Sequence, residues 1–248
     1  MGLRVAVLGA GGRMGATVCE TVEQANDLEL VARIDGPSGL DDVDVVEEVK
    51  PDVAVDFTHA SALRHNLETV LRAGCHAVVG TTGWDGDDAD HLRAVCEETR
   101  SHCLLAPNFA IGAVLMMKAA AMAAPYFERA EVIEFHHDGK RDAPSGTARL
   151  TAEMMTAARQ EAWPARGASE EVVERVRGGR VDDIRVHSVR LPGVIANQEV
   201  ILGTTGQTLT LRHDTTDRTS FMPGVLFAVR HIADHPGLTI GLDHLMDL

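Results

Sequence analysis

The stretch Leu3-Arg4-Val5-Ala6-Val7-Leu8-Gly9-Ala10-Gly11-Gly12-Arg13-Met14-Gly15 decides the fold. Leu3–Leu8 is a short apolar run that stops at glycine, which predicts a buried strand. Arg13–Gln24 reads as a helix. The turn between them carries glycines at 9, 12 and 15, a G-x-x-G-x-x-G spacing. A tight turn and close approach to a pyrophosphate both exclude side chains, and a helix N-terminus offers amides to the anion. A plain tight turn is the competing reading of the same glycines. Their place, after the first strand and at the mouth of the first helix, favours a dinucleotide turn.

Outward from this turn, strands and helices alternate. Leu28–Ile34 predicts a second strand, ending at Asp35 and Gly36. Val53–Phe57, His76–Val79 and His102–Ala106 predict three more, the last stopped by Pro107, with helices over Ser61–Arg72 and Asp87–Thr99. That spacing implies crossover units and a parallel sheet, and right-handed connections then give a doubly wound layer.

The pattern changes after Asn108. Ile111–Ala124 reads as a long apolar helix ended by Pro125, Ala130–His137 as a strand and Gly146–Glu161 as a helix. Residues 161–180 are charged and contain Pro164 and three glycines, which predicts a mobile loop or irregular helix. Ile184–Leu191, Gln198–Leu202 and Thr208–His213 alternate like strands of a sheet with one face covered by helices. Phe221–Asp234 reads as a closing helix with Pro223 in its first turn. The fold class expected is α/β: a Rossmann-type parallel sheet domain (residues 1–108 plus 220–248) with an inserted α+β domain (residues 109–219) built on a mixed open sheet.

Composition narrows the function. The 248 residues are long enough to bury a core, and an apolar fraction of 45% is that of a globular chain. A net charge of -14 argues against general binding to nucleic acid or to an anionic membrane, so an anionic substrate must be gripped by local positive groups. Cys19, Cys75, Cys96 and Cys103 match no zinc spacing and read as buried thiols. No stretch resembles a signal peptide or reaches the length of a membrane span, so a soluble, cytoplasmic protein is expected.

Asp35 lies twenty residues past Gly15, where an acid accepts hydrogen bonds from an adenosine ribose. An acid there favours NADH by repelling a ribose phosphate, with NADPH tolerated because Arg13 and Arg33 are close in sequence. An ordinary strand-end turn acid is the alternative. Gly80-Thr81-Thr82-Gly83 and Ala106-Pro107-Asn108-Phe109 close the fourth and fifth strands, and ligands of such sheets bind outside the carboxyl ends of the strands. Either segment can equally be plain loop chemistry.

The densest chemistry is Glu134-Phe135-His136-His137-Asp138-Gly139-Lys140-Arg141-Asp142-Ala143-Pro144-Ser145-Gly146-Thr147-Ala148. On a strand His136 and His137 face opposite ways, so one metal cannot easily take both, and no third ligand is spaced for it. Asp138-Gly139 supplies a turn that can bring Lys140 back toward them. Ser145 is a candidate N-cap, and the Gly146 and Thr147 amides then lie at the positive end of a helix dipole, where a carboxylate docks. Lys140 can neutralise a carboxylate or give a proton. Surface histidines beside an ordinary helix start are the competing reading.

This stretch, written Glu-x-His-His-x-x-Lys-x-Asp-Ala-Pro-Ser-Gly-Thr-Ala, resembles the signature of the 4-hydroxy-tetrahydrodipicolinate reductase family. Gly9–Gly15, Asp56-Phe57-Thr58, Gly80–Gly83, Pro107-Asn108-Phe109 and Arg212–Gly224 resemble the family at matching places, so the likeness covers essentially the whole chain. It implies that His136 is the proton donor or acceptor and Lys140 a second proton donor. It implies that His137, Ser145, Gly146 and Thr147 bind substrate. Gly9, Ala10, Gly11, Gly12, Arg13, Met14, Asp35, Gly80, Thr81, Thr82, Ala106, Pro107, Asn108 and Phe109 then contact NADH or NADPH. The chain departs from some members by having Gly36 after the ribose acid and Gly11 and Arg13 where others carry lysines. The interval from Gly36 to Asp52 is short, as in compact members. The likeness also implies a homotetramer paired through sheets of the second domain.

The reaction implied is reduction of a small dicarboxylate, 4-hydroxy-tetrahydrodipicolinate, with loss of water, in lysine and diaminopimelate biosynthesis. Two other readings remain at this stage. One is a nicotinamide-dependent dehydrogenase of another imino or amino acid. The other is a non-catalytic NAD(H)-sensing regulator, which could dispense with the His-His-Lys set.

Overall fold

The computed structural model describes residues 2–36, 43–164 and 170–248. The chain divides into two units: Met1–Ala110 together with Arg218–Leu248, and Ile111–Asp217 inserted between them.

In the first unit the elements run β1 (Leu3–Leu8), α1 (Arg13–Gln24), β2 (Leu28–Ile34), α2 (Val45–Val49), β3 (Val53–Asp56), α3 (Ala60–Arg72), β4 (His76–Val79), α4 (Gly86–Thr99) and β5 (Cys103–Leu105). The inserted unit contains α5 (Ile111–Ala123), β6 (Arg129–His136), α6 (Gly146–Ala157), β7 (Gly179–Val181), β8 (Ile184–Arg190), β9 (Ala196–Thr204) and β10 (Gln207–Thr215). The chain then returns to the first unit with α7 (Met222–His231), β11 (Leu238–Ile240) and α8 (Leu242–Leu245).

The first unit is a parallel six-stranded sheet in the order β11-β5-β4-β3-β1-β2. Its inner strands are apolar without alternation because both faces are covered: Val5–Leu8, all of β3 and all of β5 are buried. Helices α1 and α3 each bury one stripe at helical spacing, Val18, Cys19 and Val22 in α1 and Leu63, Leu67, Val70 and Leu71 in α3. After β1 the chain builds β2 on one side and then β3 on the other. That reversal opens a crevice at the carboxyl ends of β1 and β3. The closing helix α7 packs on α1, and Arg230 holds Asp27 through two hydrogen bonds of 2.8 and 2.9 Å.

The second unit is a five-stranded mixed sheet in the order β10-β9-β6-β8-β7, antiparallel except for the β6–β8 pair. Helices α5 and α6 pack on each other and on this sheet. In β6 the alternation puts Ala130, Val132 and Glu134 in the buried row.

The predicted strands and long helices are present, with ends shifted by a few residues. Helix α6 stops at Ala157 rather than Glu161, because Arg159 turns back to donate to the carbonyls of Ala124 and Phe127 and lies over the Trp163 ring. The predicted helix Phe221–Asp234 is α7 flanked by two short 3-10 turns. Elements α2, β7, β11 and α8 were not expected; at three to five residues each, they are too short to show a period. Within the predicted irregular stretch 161–180, residues 165–169 lie outside the described residues, as do 37–42 of the short interval after Gly36.

Candidate active site

The glycine turn is built as the sequence suggests, but its glycines do different work. Gly9 sits at φ +77°, and a Cβ on it would stand 2.6 Å from the Phe57 carbonyl oxygen. The Gly9 and Ala10 amides both donate to the Ile34 carbonyl, so they hold the turn rather than face a ligand. A Cβ on Gly15 would meet the Gly9 carbonyl oxygen at 2.0 Å, which is why only glycine lets α1 pack against the turn. Gly12 is the N-cap of α1 and supplies no side-chain acceptor, so the first amides of that helix have no cap from the residue before it.

A cavity of about 420 Å³ opens at this place, lined by Gly12, Arg13, Met14, Phe57, Thr58, His59, Ala60, Gly80, Thr81 and Thr82. It sits where the strand order reverses, the position at which open parallel sheets take nucleotides. The cradle is one that side chains would fill: a Cβ at Gly80 would strike the Phe57 ring at 2.1 Å. Helix dipole, bare glycine backbone and Arg13 together suit a pyrophosphate. These residues therefore fit a dinucleotide.

A buried carboxyl holds the two sides of this cavity together. Asp56, 1% exposed, accepts from the Thr58 amide at 3.0 Å, the Thr58 hydroxyl at 2.8 Å and the Thr81 hydroxyl at 2.6 Å. Its other oxygen accepts from Asn66 at 3.3 Å. Sequence reasoning singled out Thr81 and Thr82 but gave no role to His59, Ala60 or Asp56. The signal available was a lone acid closing an otherwise apolar strand.

Asp35 lies beside Gly11: a Cβ there would meet its Oδ2 at 1.9 Å. Beyond β5, Ala106 and Phe109 are buried, with Phe109 packed on Phe57 at 5.9 Å between ring centroids, while Pro107 is exposed. Asn108 accepts from the Ala110 amide at 2.8 Å.

In the second unit the signature segment folds around one carboxylate. Glu134 is 0% exposed, yet it lies in the apolar row of β6, so its charge must be met locally. Arg190, from β8, donates Nη1 to Oε2 and Nη2 to Oε1, both at 2.8 Å. The Ser145 amide donates at 3.2 Å, and His136 contacts the same carboxylate through Nδ1. Burial alone would raise the Glu134 carboxyl, but hydrogen bonds from His136, Arg190 and Ser188 outweigh it and hold it at about 2.

His136 is the last residue of β6, two residues from Glu134 and on the same face; His137 follows outside the strand and is exposed. The Asp138-Gly139 turn closes with the Lys140 amide donating to the His137 carbonyl at 3.1 Å. Lys140 Nζ rests on Asp142 Oδ1 at 2.8 Å. Ser145 is the N-cap of α6, its hydroxyl accepting from the Ala148 amide at 3.2 Å. Both its hydroxyl oxygen and its amide are thus engaged in holding the helix start. Gly146 is exposed in the first turn of α6. The structure brings His136, Lys140 and this helix start together within one unit. Sequence reasoning missed Arg190, and it quoted Glu134 without giving it a task.

Among the described residues no three His, Cys, Asp or Glu side chains converge to hold a metal, and no helix is long and apolar enough to cross a membrane. All four cysteines are free and buried.

The chain matches two family models end to end, "Dihydrodipicolinate reductase, N-terminus" over residues 3–109 and "Dihydrodipicolinate reductase, C-terminus" over residues 112–246. It is 48% identical over 247 residues to a 4-hydroxy-tetrahydrodipicolinate reductase of Mycobacterium sp. (strain KMS), covering 99% of this chain and 100% of that one. A 4-hydroxy-tetrahydrodipicolinate reductase of Nocardia farcinica is 49% identical over 251 residues, with both chains covered in full. Among solved structures, dipicolinate-bound dihydrodipicolinate reductase from Paenisporosarcina sp. TG-14 superposes with a TM-score of 0.89 at 38% identity, over 98% of this chain and 99% of that one. The two folded units and the signature segment between β6 and α6 therefore have one common explanation: the chain belongs to the dihydrodipicolinate reductase family.

Proposed function

We propose that this protein reduces 4-hydroxy-tetrahydrodipicolinate to tetrahydrodipicolinate, with loss of water, as an NAD(P)H-dependent oxidoreductase of lysine and diaminopimelate biosynthesis. The observation that carries the reading is the folded signature segment, in which His136 and the start of α6 contact one buried carboxylate, Glu134, while Lys140 rests on Asp142, whose carbonyl accepts from the Arg190 that grips Glu134. A sensor that only bound NAD(H) would have no use for that arrangement, and relatives with about 48% identity over the full length carry the reductase name. Dipicolinate, an aromatic dicarboxylate of the same outline, is bound by the Paenisporosarcina relative, which supports a doubly charged ring as ligand.

The bound dinucleotide supplies the hydride. Gly12, Arg13 and Met14 would hold its pyrophosphate at the start of α1, and Thr58, Gly80, Thr81 and Thr82 would line the cavity beyond. The remaining family positions, Gly9, Ala10, Gly11, Ala106, Pro107, Asn108 and Phe109, would shape the strand ends around it. We favour NADH over NADPH: the Asp35 carboxylate lies against the side-chain-free Gly11, where it would accept from a ribose hydroxyl and repel a ribose phosphate.

One substrate carboxylate would dock at Gly146 and Thr147, with Ser145 holding the turn in shape and His137 at its rim. Lys140 would trade Asp142 for the substrate and neutralise its charge or donate a proton. His136 would exchange a proton with the ring through its outer nitrogen, a contribution of roughly a hundred- to ten-thousandfold in rate. The half-exposed Glu131, Ile133 and Phe135 on the other face of β6 suit a homotetramer paired through the second sheet, and a biosynthetic role would suit a cytoplasmic enzyme.

The test is steady-state oxidation of NADH and of NADPH with freshly made dehydratase product, beside other imino dicarboxylates. Turnover specific to that product is expected, with a strong loss of kcat in His136→Gln and in Lys140→Ala. Oxidation of neither dinucleotide would overturn the reading, and near-normal turnover in both variants would remove the acid roles.

A further inference from the structure

We propose that Glu134 and Arg190 are positioning residues that set the working tautomer of His136 and the geometry of the substrate loop; the inference rests on the acid role proposed for His136. Three observations carry it. First, an ionised carboxylate only accepts hydrogen bonds, so its contact with His136 Nδ1 puts a proton on that nitrogen. The other ring nitrogen, Nε2, is then the one left to exchange a proton with a ligand. Glu134 remains ionised through the physiological range, because the donors around it outweigh its burial.

Second, the carboxylate cannot turn away from this task. The Arg190 fork grips both oxygens at 2.8 Å, and the Ser145 amide holds one of them from the side of α6. A two-point guanidinium grip fixes the plane of the carboxylate as well as its place. Parallel pairing of β6 with β8 sets His136 opposite Arg190 and Glu134 opposite Ser188, so the arrangement is anchored in sheet register.

Third, Arg190 reaches past the carboxylate. Its Nη2 also donates to the Asp142 carbonyl at 2.7 Å, and the Asp142 side chain holds Lys140 at 2.8 Å. One guanidinium therefore joins the carboxylate that supports the imidazole to the loop that carries the lysine, and that same carboxylate holds the helix start. A group used only for packing needs neither of these two contacts.

The test uses the full-length protein with nitrogen-15 histidine, the His136 signals being identified by their loss in His136→Gln. In the native protein the His136 signals are expected to show Nδ1 carrying a proton, with Nε2 the nitrogen that gains or loses the second one. In Glu134→Gln the tautomer is expected to change or become mixed, with kcat down about a hundredfold and cofactor KM unchanged. In Arg190→Lys, which keeps the charge and loses the fork, substrate KM is expected to rise while Glu134 still holds the ring. If Glu134→Gln does not fold, the decision falls on Arg190→Lys and on the native tautomer. A native ring protonated on Nε2 alone overturns the inference, as does an unchanged Nδ1 signal and kcat in Glu134→Gln, or an unchanged substrate KM in Arg190→Lys. Failure of the acid role reads differently: His136→Gln would keep its turnover while the native tautomer stayed as stated.

Discussion

The Thr81 hydroxyl donates to Asp56 Oδ1 at 2.6 Å, and this one bond ties the turn after β4, which lines the cavity at the strand ends, to the end of β3. Asp56 is buried among donors, so replacing an acceptor oxygen by an amide group sets donor against donor. Asp56→Asn should cost about 1–3 kcal/mol of stability and raise cofactor KM about tenfold. Thr81→Val should cost about 1 kcal/mol. Thermal melts with and without NADH, together with cofactor KM values, measure both. An unchanged KM in Asp56→Asn would show that the two turns keep their places without this carboxyl.

Two glycines give opposite expectations for the same substitution. Gly15→Ala would push a methyl group to 2.0 Å from the Gly9 carbonyl oxygen, so the turn or α1 must move. We expect a loss of about 2 kcal/mol or more and a loss of dinucleotide binding. Gly86→Ala, in the first turn of α4, meets nothing within 4 Å and should be neutral or stabilising by up to about 1 kcal/mol. Paired denaturation curves read the contrast.

Cofactor choice should turn on Asp35. Asp35→Ser removes the charge beside Gly11 while Arg13 and Arg33 remain, so the NADPH-to-NADH ratio of kcat/KM should rise about tenfold or more. A ratio that does not move would place the selection elsewhere in the turn.

Acid stability should report Glu134. Its folded carboxyl is held at about 2 against an ordinary value of 4.5, despite burial, by His136, Arg190 and Ser188. Between those values the unfolded chain binds a proton that the folded one does not, so stability rises with pH there. The contribution is complete above about pH 5 and is lost as the pH falls toward 2, a change on the order of 3 kcal/mol. The stability gap between the native protein and Glu134→Gln should therefore narrow from pH 6 to pH 3. Urea midpoints across that range measure it, and a constant gap would refute the assignment. Asp142, lowered chiefly by its bond from Lys140, should add a smaller loss of the same sign.

The sequence by itself determined what is local. The glycine turn, the alternation of strands and helices, the Ser145 cap and the Asp138-Gly139 turn all follow from residues within about a dozen positions of one another. Steric freedom at glycine, helical and strand periodicity, and capping are short-range effects, so they are legible in one dimension. The tertiary structure decided which distant groups meet. Arg190 reaches Glu134 across 56 residues only because β6 and β8 pair in parallel in one register. Asp56 finds Thr81 across 25 residues because β3 lies beside β4. The three-residue β11 exists as a strand only through its pairing with β5. In each case the partner is selected by sheet register and by burial of a charge that must be satisfied, and neither is a property of a neighbouring stretch of chain.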